Sequence, residues 1–182
     1  MKKRRVFRFI FLSLFLFLCD AYTKYLVATN LPNMYYASPF YPYGGIGVFQ
    51  NFLGIDFCIN YVSNHGGAWG LFAAFPVALL IVRICIILAA FVYAAFVNKQ
   101  PRRDLPFLLI LTGASCNIFD CFVYGAVIDM FHFVLWGYSF PVFNVADMMI
   151  FFGVATLLIQ SLLEKVKTRE RHTQTISKVG FN

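Results

Sequence analysis

Basic residues are missing from two long stretches of this sequence. Neither 28–69 nor 125–139 holds a lysine or arginine, although the chain carries fifteen. Five lie before or at the start of the first apolar run (Lys2, Lys3, Arg4, Arg5, Arg8), three join the second run to the third (Lys99, Arg102, Arg103), and five follow the fourth (Lys165, Lys167, Arg169, Arg171, Lys178). Lysine and arginine collect on the cytoplasmic flanks of membrane spans. The partition therefore predicts that both termini are cytoplasmic and that the two stretches without basic residues face outward. It also argues against nucleic acid as a partner, because topology already accounts for the net charge of +7.

Cysteine pairs and metal motifs are absent as well. The five cysteines (Cys19, Cys58, Cys85, Cys116, Cys121) are odd in number, show no CxxC spacing and fall mostly within apolar runs, which does not support a disulfide framework. They are expected to pack as apolar side chains. The acids lack the His or Cys company of a zinc site, so no metal and no cofactor is implied. No internal repeat is visible.

Apolar side chains are what the sequence has in excess: 60% of its 182 residues are hydrophobic and 19% aromatic, against roughly 45–50% apolar in soluble domains. Four runs, about 6–27, 70–97, 105–124 and 140–163, each reach the roughly 20 residues needed to cross a bilayer core as a helix. The expected architecture is an all-α membrane protein of four spans, one domain over 1–164, followed by a basic, frayed cytoplasmic tail over 165–182. The basic start, apolar stretch and Cys19 imitate a signal peptide. Leu18, too large to precede a cleavage site, and the helical i, i+4 spacing of Asp20 and Lys24 favour a retained first span.

The first outward segment, 28–69, opens with turn-forming Tyr, Pro and Gly residues over Tyr35–Gly47. Ile55, Phe57, Ile59 and Tyr61 then alternate with Asp56, Cys58 and Asn60, which predicts a strand in a small sheet or ribbon on the outer face. The second, 125–139, is short, aromatic and expected to hug the membrane surface.

Ionisable groups inside spans cost roughly 2.5–3.5 kcal/mol each on insertion scales. Those present are Asp20, Lys24, Arg83, Asp120 and Asp147, with Asp129 in the second outward segment. All but Arg83 crowd toward one membrane face. Counting from Pro141 puts Asp147 about 9 Å along the fourth helix. Asn144 and Asn117 each precede an aspartate by three residues and are expected to orient Asp147 and Asp120. Two carboxylates sharing a proton in a low-dielectric site can hydrolyse a peptide bond, one as general base toward water and the other polarising the carbonyl. Arg83, about 20 Å along a second helix that starts at residue 70, is expected to make a structural contact between helices. His65 and His132 are expected to be interfacial, and a Ser–His hydrolase using Ser139 is a weak alternative. A proton-coupled transporter is disfavoured because the acids do not run through the membrane and no pair of broken helices is present. A non-catalytic scaffold is the third possibility.

The blocks Asp20-Ala-Tyr-Thr-Lys24, Asn64-His-Gly-Gly-Ala-Trp-Gly70, Gly113-Ala-Ser-Cys-Asn117-Ile-Phe-Asp120, Val127-Ile-Asp129-Met-Phe131 and Phe143-Asn144-Val-Ala-Asp147 occur in this order. Together they resemble the successive motifs of the lipoprotein signal peptidases (signal peptidase II), over about Leu12 to Leu162. The resemblance implies an aspartic endopeptidase of the bacterial inner membrane, with Asp129 and Asp147 catalytic. Asp20, Lys24, Asn64, Gly113, Asn117, Asp120 and Asn144 would support the site or bind substrate. It further implies removal of signal peptides from diacylglyceryl-modified prolipoproteins before the lipidated cysteine, inhibition by globomycin-type cyclic peptides, and a small outer sheet that cradles substrate. Two positions depart from the family pattern: Cys121 stands where Arg is usual after the acidic residue, and Cys116 where Gly is usual. The first departure leaves Asp120 without the guanidinium that would brace it.

Overall fold

The computed structural model describes residues 2–66 and 74–179, with side chains over 5–66 and 74–169. Among the described residues, four helices are long and apolar enough to cross a membrane: α1 (Lys2–Asn30), α2 (Pro76–Val92) with the π-helical turn Tyr93–Val97 that continues it, α3 (Asp104–Val123) and α4 (Val145–Val179). The chain is thus a multi-pass membrane protein. Large apolar side chains cover the outsides of the helices, and α2 buries no residue at all. That inversion of the soluble pattern is what lipid as a solvent selects, because the apolar surface needs no protein cover there.

Boundaries differ from expectation at two spans. Residues 70–73 of the expected second span lie outside the described residues, and α2 itself begins at Pro76. Proline is at home at the first helical position, where its missing N–H would have had no partner. The expected start at 140 is also early: Phe140 to Phe143 run extended beside the sheet, where Phe143 N donates to the Phe131 carbonyl and Phe143 O accepts from Phe131 N. At the other end, the expected frayed tail continues α4 as far as Val179.

Between the helices lies a four-stranded antiparallel sheet in the order β1 (Ile46–Phe52), β2 (Ile55–Asn64), β3 (Val127–Leu135), β4 (Tyr138–Ser139). The expected strand at 55–61 is present and longer. The second outward segment does not simply hug a surface: it supplies β3, paired with β2 from Ile55↔Leu135 to Asn64↔Val127. The even face of β2 buries Cys58, Asn60 and Val62. On the odd face Phe57 stacks on Phe133 at 4.3 Å. Asn60 is tolerated inside because its amide donates to the carbonyls of Pro42 and Tyr43 and its oxygen faces His132 Nδ1 at 3.1 Å.

Helices α3 and α4 are drawn together by two glycines. A Cβ on Gly113 would fall 2.5 Å from the Ala146 carbonyl oxygen, and one on Gly153 would fall 2.7 Å from that of Pro106. Small residues let membrane helices approach to backbone contact, where dispersion replaces the hydrophobic effect as the attraction. At the opposite end of the bundle from the sheet, Arg5 pairs with Asp104 at 2.6 Å, and Glu164 receives both Arg102 and Arg103.

Candidate active site

Asp20 and Lys24, one turn apart on α1, are both fully buried. The Lys24 ammonium meets Asp20 at 2.7 Å and Asp120 at 2.6 Å, and donates to Asn117 Oδ1 at 2.9 Å. All three of its N–H groups are therefore used, the condition under which a buried lysine is tolerable. Asp20 Oδ1 accepts from the backbone N of Ala146, in the first turn of α4. Asp120 also accepts from Ile128 N at 3.3 Å. The loss of a guanidinium at position 121 thus leaves Asp120 braced after all, by Lys24 reaching across from α1.

Asp147 lies in the first turn of α4, closer to the helix end than the count from Pro141 implied. Asn144 caps that helix. Its Oδ1 accepts from Asp147 N at 2.8 Å, and its own N–H is 3.2 Å from Asp147 Oδ2, the reciprocal pairing of a capping box. The Asn144 amide nitrogen reaches the other way, to Asp129 Oδ1 at 2.7 Å. One asparagine therefore touches both aspartates. Asn117 was expected to serve Asp120 but donates instead to Asp147 Oδ1 at 2.8 Å.

Asp129 sits on β3 rather than in a loop, and only 2% of it is exposed. Its other oxygen accepts from Asn64 Nδ2 at 3.0 Å. Burial pushes its carboxyl up to about 7, the nearby Asp147 carboxylate adds to the rise, and the Asn64 and Asn144 hydrogen bonds pull against it. Asn64 is itself fixed by Gly66, whose backbone N donates to Asn64 Oδ1 at 2.9 Å. The remainder of that block, residues 67–70, lies outside the described residues.

Both aspartates open on a cleft of about 640 Å³, lined on its polar side by Asn64, Gly66, Arg83 and Asn117 and on its apolar side by Phe140 to Phe143, Met148, Phe151 and Phe152. All nine residues singled out from the sequence gather within or directly behind this cleft. Asp20, Lys24 and Asp120 form the layer behind it, and Gly113 lets α4 close on α3.

Arg83 makes the expected contact between helices, to Cys121 on α3, but lies at a different depth than its sequence position implied. With α2 starting at Pro76 it stands only about 10 Å from the helix end. It lines the cleft, donates from Nη2 to Gly66 O at 2.7 Å and approaches Cys121 Sγ at 3.8 Å. The signal available in the sequence was Pro76, read as a helix start. His132 is also corrected: it is buried in the sheet, with Nδ1 toward Asn60 and Nε2 2.9 Å from Ser139 Oγ. Neither residue of that pair is among the described residues lining the cleft.

A family model described as signal peptidase (SPase) II matches residues 12–163. A lipoprotein signal peptidase of Actinobacillus succinogenes is 34% identical over 163 residues, 88% of this chain and 93% of that protein. One of Photorhabdus laumondii is 32% identical over 156 residues, 86% and 88%. One of Chlamydia trachomatis is 37% identical over 111 residues; the match spans 60% of this chain and 65% of that relative's length. Among solved structures, a bacterial membrane enzyme determined by the in meso method at 2.3 Å superposes with a TM-score of 0.69 at 25% identity, covering 87% of this chain and 89% of that one. A second, at 1.9 Å, gives 0.66 at 26% identity, covering 85% and 92%. With a matching family model across most of its length and relatives above 30% identity matched nearly end to end, the chain belongs to the signal peptidase II family.

Proposed function

We propose that this protein is an aspartic endopeptidase of the bacterial cytoplasmic membrane that removes signal peptides from diacylglyceryl-modified prolipoproteins, cutting before the lipidated cysteine, with Asp129 and Asp147 as its catalytic pair. The observation that carries this reading is that the one residue Asn144 meets both carboxylates that open on the cleft, its side-chain amide donating to Asp129 and its backbone N to Asp147. Near neutral pH such a pair shares one proton. The ionised member takes a proton from water as its oxygen attacks the scissile carbonyl carbon. The protonated member gives its proton to the carbonyl oxygen, forming a neutral gem-diol. Collapse of that diol passes a proton to the leaving nitrogen and returns the pair to its starting state, with no covalent intermediate and no cofactor.

Asp20, Lys24, Asn64, Gly113, Asn117, Asp120 and Asn144 act as supports, fixing the two carboxylates by the contacts described above. The apolar side of the cleft suits both a signal peptide's hydrophobic stretch and acyl chains, and globomycin-type peptides are expected to compete there. The distribution of basic residues supports cytoplasmic termini, a catalytic unit over 1–164 with a basic tail over 165–182, and a site near the outer face.

The test is replacement of Asp129 or Asp147 by Asn in cells that depend on this enzyme. Either change is expected to make lipidated, uncleaved precursor accumulate. Normal processing in both variants would refute the assignment.

A further inference from the structure

Arg83 has more donors than the protein uses. A guanidinium carries five N–H groups. Among the described residues Arg83 engages only the Gly66 carbonyl, at 2.7 Å, and the weak acceptor Cys121 Sγ, at 3.8 Å. Among the described residues no carboxylate pairs with it, unlike Lys24, Arg5, Arg102 and Arg103. It is half-buried and, among the described residues lining the cleft, is the one cation. A cation in a membrane span is costly and faces a cavity or a partner when it persists. Here it faces the same cleft as Asp129 and Asp147.

We propose that Arg83 is a substrate-positioning residue of the peptidase: its guanidinium, aimed from α2 by Gly66 and Cys121, donates its remaining N–H groups to a carbonyl oxygen of the bound, lipid-modified signal peptide. A carbonyl fits better than a carboxylate or phosphate, because the other groups of the cleft are apolar side chains, neutral amides and the two aspartates, and an anion there would share the cleft with the aspartate pair. Cys121 allows this arrangement. Its small side chain leaves room for the guanidinium at the α3 surface, so that α2 supplies the charge that α3 lacks at this position.

The inference rests on the peptidase reading above, and the experiment separates the two. Purified full-length enzyme in lipid bicelles is assayed on a synthetic signal peptide ending in an S-diacylglyceryl cysteine and two further residues. If the unsubstituted enzyme fails to cut it, or Asp129→Asn still cuts it, the peptidase reading falls. If the enzyme cuts as expected, Arg83→Gln should raise KM about tenfold to a hundredfold, the worth of a charge-assisted hydrogen bond, with kcat nearly unchanged. Loss of uniform binding has that signature. A purely structural role would look different: Gly66 holds Asn64, and Asn64 holds Asp129, so a disturbed Gly66 would lower kcat and move its pH profile.

Arg83→Lys, which keeps a donor and the charge, is the milder variant should Arg83→Gln not fold, and should show the same KM effect in part. Delivering the guanidinium from the neighbouring helix, as Arg83→Gln combined with Cys121→Arg, should bring KM back toward the unsubstituted value. Unchanged KM in both single variants, or a kcat loss that Cys121→Arg does not repair, would overturn the proposal.

Discussion

Asp129 is the residue whose chemistry its surroundings alter most clearly. An ordinary aspartate titrates near 4, and burial beside Asp147 lifts this one to about 7. Between those values the folded protein holds a proton that the unfolded chain has released, so the contribution to stability is intact below about pH 4 and is lost as pH rises through 7. Asp129→Asn removes that cost. In thermal unfolding followed in detergent, the variant should melt above the unsubstituted protein at pH 8, by a few degrees, and match it near pH 4. Equal melting shifts at both pH values would show that the carboxyl is not strained by burial. The identities of the acids and asparagines could be read from the sequence, but their partners could not. Asn117 follows the same three-residue rule as Asn144, yet serves an aspartate on another helix, because Lys24 from α1 has already occupied Asp120.

At the scale of elements, the site depends on how closely α3 and α4 meet. Gly113 has no room for a methyl group: its Cβ would sit 2.5 Å from Ala146 O and 3.0 Å from Ile150 Cγ1. Gly113→Ala must push the first turn of α4 away from α3, and with it Asp147 from Asn117. Overpacking of this kind costs about 1–3 kcal/mol. The variant should therefore melt lower in detergent and lose at least about tenfold in kcat, since a misplacement of about 1 Å is enough for such losses. A variant with normal melting and normal turnover would mean that the contact is looser than its geometry indicates. The helices were legible as elements because lipid demands long apolar runs. Two of their beginnings were not: Pro76 at the first position of α2 and the Asn144 cap of α4 set them locally, inside stretches whose hydropathy continues across the boundary without a break.

For the whole molecule, the uneven distribution of lysine and arginine predicts orientation. A reporter enzyme that is active only outside the cytoplasmic membrane should be silent when fused after Val179 and active when inserted near Ser38, in the turn-rich segment before β1. The reverse pattern would invert the topology and put the cleft on the cytoplasmic side. The sheet binds the two segments without basic residues into one body: β3 comes from the short segment and β2 from the long one, and their pairing brings Asn64 to Asp129 across 65 positions of sequence.

By itself the sequence determined the solvent, the number of spans, the expected orientation and the chemical types gathered at one membrane face. Those follow from composition, run length and charge placement, which act residue by residue. Tertiary structure alone decided which groups touch: that Asp129 sits on a strand rather than a loop, that Asn144 joins the two carboxylates, that Lys24 takes over the bracing of Asp120, and that Arg83 opens on the cleft. Each of these depends on where three or four separate elements meet. Such meetings are set by close packing at Gly113 and by β2–β3 pairing, neither of which leaves a periodic mark on the chain.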